Sequence, residues 1–348
     1  MRWSGSYEND WKICESIQSG RIPPCEPSNR GKCLSNGVLS TTLAGVELGS
    51  PILLAAGTAG VLGEMRDVLD PAQLGAIVTK SITREARSGN AFPRITFTRA
   101  GMMNAIGLAN PGVEAFVRDE GPKVSTIGCP IIGSVAGDRL DDYISVANAM
   151  ASISGMMAIE ANVSCPNVHS GLEFGSDPVA LRELISTMVQ SVEGLPLFVK
   201  LSPVTVGTPN SIVDLARVAI EAGASGLTLT NTVPAMGIDV HTRKPILANI
   251  TGGLSGPAIH PIVVRLVHLV YRGVARDAGV PIIAAGGVTR WEDAAEFILA
   301  GASAIQIGAG SFASPRASVK LRKGLAKWVS AQGATHVQEL VGNVDLGS

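Results

Sequence analysis

Glu221-Ala222-Gly223-Ala224-Ser225-Gly226-Leu227-Thr228-Leu229 and Leu299-Ala300-Gly301-Ala302-Ser303-Ala304-Ile305-Gln306-Ile307 share one rhythm: a helix end, an Ala-Gly-Ala turn, then a short apolar strand. Strands joined through helices in this way run parallel, because a parallel pair needs a long crossover. Six more apolar runs fit the unit: Pro51–Ala56, Gly75–Thr79, Pro130–Val135, Met157–Ala161, Leu197–Val199 and Pro281–Ala285. Helical patterns such as Ser211–Ala222, Ile259–Ala278 and Trp291–Ala300 separate most of them. Eight such units predict an α/β fold of the (β/α)8 TIM-barrel type, with an open doubly wound sheet as the competitor.

Composition agrees with short buried strands closed by tight loops. Of 348 residues, 46% are hydrophobic, only 4% aromatic, and 40 are glycine. The mean hydropathy of +0.29 belongs to a core, since no uninterrupted apolar run approaches the roughly 18–20 residues that span a bilayer. A net charge of −1 gives no basic field for nucleic acid or anionic lipid. The opening MRWSGSYENDWK lacks an apolar secretory core, and five cysteines form no dense framework, so the expected setting is a reducing cytoplasm.

Residues 1–40 are polar and rich in Ser, Gly, Pro and Asn, and they read as an irregular N-terminal extension with a short helix near Asp10–Gln18. Residues 41–348 form the expected barrel domain. Cys14, Cys25 and Cys33 lie in the arm, in spacings that match no metal or cluster pattern. Two segments interrupt the barrel rhythm, 82–110 and 232–256, and both follow strand ends. Loops on that face build barrel active sites, and excursions of this length are usually functional.

Candidate chemistry gathers at the same strand ends. Asn162-Val163-Ser164-Cys165-Pro166-Asn167 places a cysteine between amides just past a strand. Cys165 is either a proton-transfer or nucleophilic group, or a small buried apolar residue. Lys80 ends the run Val78-Thr79-Lys80, and Lys200 follows Val199 directly. One lysine there would be a snorkelling side chain; two call for an anion at the barrel mouth, whether carboxylate, phosphate or a flavin that gains charge on reduction. Gly286-Gly287 and Gly308-Ala309-Gly310, after the last two strands, suit a phosphate cradle, or are simply tight turns. Ser255-Gly256-Pro257 reads as a helix start with Ser255 as N-cap. The five histidines are scattered without metal-ligand spacing, and no Rossmann or Walker fingerprint is present.

With these residues in view, the chain from about Thr42 to Leu325 resembles the soluble, cysteine-dependent (class 1) dihydroorotate dehydrogenases. The resemblance rests on Asn162–Asn167, Gly89-Asn90 with Pro93-Arg94, Asn104–Leu108, Val199–Pro203 and the long Lys244–Ile259 run. That last run is similar to the class 1B catalytic subunit, whose partner subunit carries FAD and a 2Fe-2S cluster and passes electrons to NAD.

The resemblance implies an FMN-binding barrel that oxidises (S)-dihydroorotate to orotate, a flavoprotein step of de novo pyrimidine biosynthesis. It implies that Cys165 takes the C5 proton while hydride leaves C6 for flavin N5, and that Lys200 stabilises charge at flavin N1/O2. It assigns substrate contacts to Lys80, Asn104, Ala105, Ile106, Gly107, Leu108, Asn162, Asn167, Asn231 and Thr232. It assigns flavin contacts to Ala56, Gly57, Lys80, Ser81, Ser134, Asn162, Lys200, Thr230, Gly256, Gly286, Gly287, Gly308 and Ala309. The assembly it implies is a homodimer, or a heterotetramer with the electron-transfer subunit.

Three departures from the family pattern stand out: the turn Gly57-Thr58-Ala59-Gly60, whose third residue is often aromatic in the family; Ser134 where an Asn commonly touches flavin, so that this contact is shortened or lost; and the N-terminal arm. A dihydropyrimidine dehydrogenase barrel is the nearest rival, but that family usually has His at the place of Asn167. Quinone-linked enzymes carry Ser where Cys165 stands. A non-catalytic flavin- or phosphate-binding barrel has no need of Cys165. NAD through a partner is the favoured electron acceptor, with fumarate the other.

Overall fold

The computed structural model describes residues 37–163, 174–192, 194–204 and 210–347. The arm's Cys14, Cys25 and Cys33 and the expected helix at Asp10–Gln18 lie outside the described residues, so the arm-to-barrel boundary is an expectation only.

The chain begins with an antiparallel hairpin, β1 (Thr41–Leu43) and β2 (Val46–Leu48). It continues through β3 (Ile52–Leu54), β4 (Ala76–Val78), β5 (Ile95–Thr98), β6 (Gly101–Asn104), β7 (Ile131–Val135) and β8 (Met156–Asn162). Next come β9 (Leu197–Leu201), β10 (Gly226–Leu229), β11 (Val233–Met236), β12 (Ile238–Asp239), β13 (Lys244–Pro245), β14 (Thr251–Ser255), β15 (Ile282–Ala284) and β16 (Ala304–Ile307). The helices are α1 (Val113–Asp119), α2 (Leu140–Ala151), α3 (Pro178–Ser191), α4 (Ile212–Glu221), α5 (His260–Val270), α6 (Arg276–Ala278), α7 (Trp291–Ala300), α8 (Ala309–Ala313) and α9 (Ala317–Ala331).

Eight strands close in chain order as β3-β4-β7-β8-β9-β10-β15-β16, and β16 returns to β3 with Gln306 opposite Leu53. Every neighbouring pair is parallel. This is the expected TIM barrel, and closure excludes the open sheet. The two repeated stretches supply α4–β10 and α7–β16. Helix starts follow local chemistry: Asp177 accepts the Val179 and Ala180 amides ahead of α3, and Ser211 and Asp214 cap α4 reciprocally.

Strand alternation divides the apolar residues into two cores. Outward-facing Ile52, Leu54, Ile131, Ile159, Val199, Leu227 and Ile305 pack under the helices. Inward-facing Leu53, Ala76, Val78, Ile132, Ala158, Phe198, Ile283 and Ala304 fill the barrel, and Leu43, Val46 and Leu48 of the hairpin join the same cluster as a plug. The Phe198 ring occupies the space a Cβ on Gly226 would need, 2.3 Å from that position, so large and small residues interlock across neighbouring strands. The helical run Pro257–Ala278 is long and apolar enough to cross a membrane, yet its Val263, Val267 and Val270 are fully buried against the barrel.

The two interruptions pair with each other. Strands β5 and β6 from the first and β11 and β14 from the second form one antiparallel sheet in the order β11-β14-β6-β5. Gly253 lets this sheet approach the barrel, because a Cβ there would lie 1.8 Å from the Thr232 hydroxyl. The expected N-cap at Ser255 is corrected. Ser255 ends β14 and its hydroxyl donates to the Met102 carbonyl at 3.1 Å, because pairing with β6 claims it; Gly256 occupies the cap without a side-chain bond.

Phe198→Ala should cost about 3–5 kcal/mol in chemical denaturation, by opening a cavity inside the barrel. Val179→Ala, at a side chain 76% exposed on α3, should stay within about 0.5 kcal/mol of wild type.

Candidate active site

At the carboxyl ends of the barrel strands, beneath the four-stranded sheet, a cavity of about 430 Å³ opens. That lies within the ~300–1,000 Å³ common for small-molecule and cofactor sites. Parity explains its polar floor. On β8, Ala158, Glu160 and Asn162 point inward; on β9, Phe198 and Lys200; on β16, Ala304 and Gln306. The layer just above the apolar filling is therefore charged or amide-bearing.

Most residues expected at the site share this cavity. Ala56 and Gly57 follow β3, Lys80 and Ser81 follow β4, and Thr230, Asn231 and Thr232 follow β10. Asn162 and Lys200 rise from the floor, while Asn104, Ile106, Gly107 and Leu108 form a side wall. Gly256, Gly286, Gly287, Gly308 and Ala309 line the opposite end. Ala105 is fully buried behind the wall, against Met103 and Leu247, and does not line the cavity. Cys165 and Asn167 lie outside the described residues; the chain leaves β8 at Asn162 on the cavity floor, three positions before Cys165.

Ser134 also stands apart from the cavity. It is fully buried, shares a 2.8 Å hydroxyl hydrogen bond with Ser81, and donates its amide to the Thr79 hydroxyl at 2.9 Å. Its side chain is too short to pass Ser81, so it supports that residue from behind. The Ser81 hydroxyl in turn accepts from Asn162 Nδ2 at 3.2 Å, and Asn162 Oδ1 accepts from Asn231 Nδ2 at 3.4 Å. The Asn162 carbonyl accepts from the Tyr143 hydroxyl at 2.8 Å. The amides are thus oriented before any ligand arrives.

Three further polar residues build the cavity floor or support its wall without standing out in the sequence. Gln306 lines the floor, and the fully buried Glu160 holds it from below. Each is a polar residue at an inward position of a largely apolar strand, and that parity is the signal that marks them. Asn110 clamps the side wall: its Nδ2 donates to the Thr83 hydroxyl and the Leu108 carbonyl, and its Oδ1 accepts from Thr83 and Gly112 amides. Leu108 adopts a left-handed φ of 54° under that clamp, a conformation that costs of order 1 kcal/mol or more.

The donor set suits a planar, phosphate-bearing cofactor. Gly287 has φ +69°, and a Cβ there would stand 2.5 Å from the Gly256 carbonyl. At Gly308 the nearest atom to such a Cβ is Ala55 Cβ at 3.8 Å, so bare backbone faces open cavity. Gly308 precedes α8, whose first amides have no partner within the helix. Among the described residues, no group of histidine, cysteine and carboxylate side chains is placed to hold a metal ion.

Burial pushes the Lys80 ammonium below the ordinary lysine range; Glu64 opposes the shift and Arg94 adds to it. Burial likewise pushes the Cys129 thiol up to about 12, which leaves it inert. Because folding lowers the Lys80 value, its charge opposes folding fully below the folded pKa, and the penalty disappears as pH approaches the unfolded value near 10.4. Lys80→Met should therefore gain thermal stability over wild type at pH 7, with a smaller gain at pH 10 in matched melts.

Comparison with known proteins agrees with this architecture. Residues 38–329 match the family model described as dihydroorotate dehydrogenase. The catalytic subunit of dihydroorotate dehydrogenase B (NAD(+)) from Pelobacter propionicus is 42% identical over 308 residues, covering 88% of this chain and 98% of that protein. Dihydroorotate dehydrogenase A (fumarate) from Lactiplantibacillus plantarum is 44% identical over 311 residues, covering 88% and 99%. The closed barrel, the lysine- and amide-lined floor and a match over most of the chain lead to one conclusion: the chain belongs to the dihydroorotate dehydrogenase family.

Proposed function

We propose that this chain oxidises (S)-dihydroorotate to orotate in pyrimidine biosynthesis, with FMN seated between the glycine cradle and the lysine-bearing floor. The observation that carries the reading is the convergence of Lys80, Lys200, Asn104, Asn162 and Asn231 on one cavity that also presents Gly286, Gly287 and Gly308. Bound FMN would supply the hydride acceptor. Gly308, which leaves open space, and Gly287, packed against Gly256, would hold its phosphate, and Ala56, Gly57, Ser81 and Thr230 would line the space for its ring. Lys200 offers an ammonium at the floor, where negative charge accumulates as the substrate is oxidised.

The asparagines hold the pyrimidine. A neutral amide pairs with both the donor and the acceptor edges of such a ring. Lys80 takes the substrate carboxylate, and the antiparallel sheet with the Asn110-clamped wall keeps water from the reacting carbons. Cys165, just beyond β8, removes the C5 proton while hydride leaves C6. Asn167, also outside the described residues, is the further substrate contact in this reading. An unperturbed thiol near ~8.5 is mostly protonated at neutral pH, so turnover rises toward alkaline pH.

For the electron acceptor we favour NAD, reached through a partner subunit with FAD and a 2Fe-2S cluster. Relatives from Pelobacter propionicus and Geotalea uraniireducens named as NAD(+)-linked catalytic subunits support that choice. A homodimer using fumarate is the second reading, favoured by the Lactiplantibacillus plantarum relative. We place either assembly in the cytoplasm.

Anaerobic mixing of the purified chain with dihydroorotate should bleach the flavin band rapidly. Cys165→Ala should slow that bleaching by ~10²–10⁴-fold near neutral pH. Bleaching unaffected by the substitution would remove Cys165 from the mechanism, and a yellow protein indifferent to dihydroorotate would sink the reading. The isolated chain should also reduce dyes but not NAD; fast NAD reduction without a partner would overturn the proposed electron route.

A further inference from the structure

Among the ion pairs of the described residues, one has both side chains withdrawn from water: Glu160 and Lys200, with side-chain exposures of 0% and 9%. Glu160 Oε1 lies 3.7 Å from the Lys200 ammonium and makes no hydrogen bond. Glu160 Oε2 accepts from the Thr228 hydroxyl at 2.9 Å and from Gln306 Nε2 at 2.7 Å. Gln306 Oε1 accepts from Lys200 Nζ at 3.5 Å, which closes the ring. Lys200 and Gln306 line the cavity whereas Glu160 and Thr228 do not, so the carboxylate reaches the site only through its neighbours.

Stability alone does not explain a charge pair here. Burying two ions costs more than well-packed apolar residues would, and apolar replacements of such pairs are often neutral or stabilising. The layer directly beneath is apolar, with Phe198, Ile283 and Ala304. The second carboxylate oxygen is fixed by two neutral donors, which leaves the first facing the ammonium. Around Lys200, β8 presents Glu160 and Asn162, β10 presents Thr228 and Thr230, and β16 presents Gln306; only Glu160 among these ionises. Lys80, the other ionisable lining residue, answers to Glu64 and Arg94 instead.

We propose that Glu160 is a positioning residue, a buried counter-ion clamped by Thr228 and Gln306 that keeps the Lys200 ammonium charged and in place at the cavity floor and so sets how strongly the site favours a reduced, anionic cofactor. The last clause rests on the FMN reading; the rest concerns this chain alone.

The test compares the full-length chain as wild type, Glu160→Gln, Lys200→Met and the double variant, both freed of cofactor and loaded with FMN. In cofactor-free Glu160→Gln the ammonium is buried without a counter-charge and binds its proton less tightly than in the unfolded chain. Its instability is therefore full at low pH and relieved as pH rises toward the unfolded value. Its melting temperature should gain ~3 °C or more on wild type between pH 6 and pH 9. The double variant should lose that gain. A difference independent of pH overturns the proposal. In the loaded protein, Glu160→Gln should show a pH-dependent step in the FMN midpoint potential that is missing from wild type and from the double variant. A potential that tracks wild type at every pH overturns the link to the cofactor.

Should Glu160→Gln not fold, folding of the double variant identifies the unpaired ammonium as the cause and supports the pairing. Failure of both, with Lys200→Met folded, assigns Glu160 to packing and overturns it. If the wild-type chain binds no FMN, the functional reading falls while the melts still judge Glu160.

Discussion

The inside of a closed eight-stranded barrel is a packed core, so each inward side chain must be apolar or paired with a hydrogen-bond or charge partner. This constraint orders the molecule from bottom to top. The hairpin residues Leu43, Val46 and Leu48 close one end, and Leu53, Ile132, Phe198 and Ile283 fill the middle. One layer higher the apolar residues give way to Glu160, Thr228, Gln306 and Lys200, which are linked to one another by hydrogen bonds and one ion pair. The cavity begins directly above that layer, at Lys200, Asn162 and the bare glycine turns. The site is thus the level at which the polar layer of the barrel meets open space.

The upper half of the site comes from the two long excursions, each of which folds back on itself as a hairpin. Pairing β6 with β14 joins the two hairpins into one sheet and carries Asn104 and Gly253 to the cavity edge. Asn110 then uses both ends of its amide to hold Leu108 in a left-handed conformation. Strain of this kind persists only where surrounding bonds over-determine it. The wall is shaped ahead of binding, which reduces what a ligand must lose in ordering it.

Much of this was legible in the chain. The Ala-Gly-Ala rhythm locates α4–β10 and α7–β16, and the strand ends name Lys80, Asn162, Lys200, Asn231 and the glycine turns. Ser255 misled because Ser-Gly-Pro carries a local helix-start signal, while its actual partner, Met102, lies far away in sequence. Ser134 stands where the resemblance places a flavin contact that a serine shortens or loses, and its hydroxyl is bonded to Ser81, which lies between it and the cavity. Glu160 and Gln306 were overlooked because a polar residue in an apolar strand is ambiguous until its facing is known.

Periodicity, strand-end chemistry and the cysteine between asparagines are local properties, so the sequence alone determined the barrel class and the residue types available for proton and hydride transfer. Distances between remote residues are not local. Only the closed sheet decided that Glu160, Lys200, Thr228 and Gln306 meet in one ring, that the two excursions form a common roof, and that Ser134 serves Ser81 rather than the cavity. The physical reason is closure: it fixes which face of each strand looks inward and which strands become neighbours, and no stretch of chain carries that information by itself.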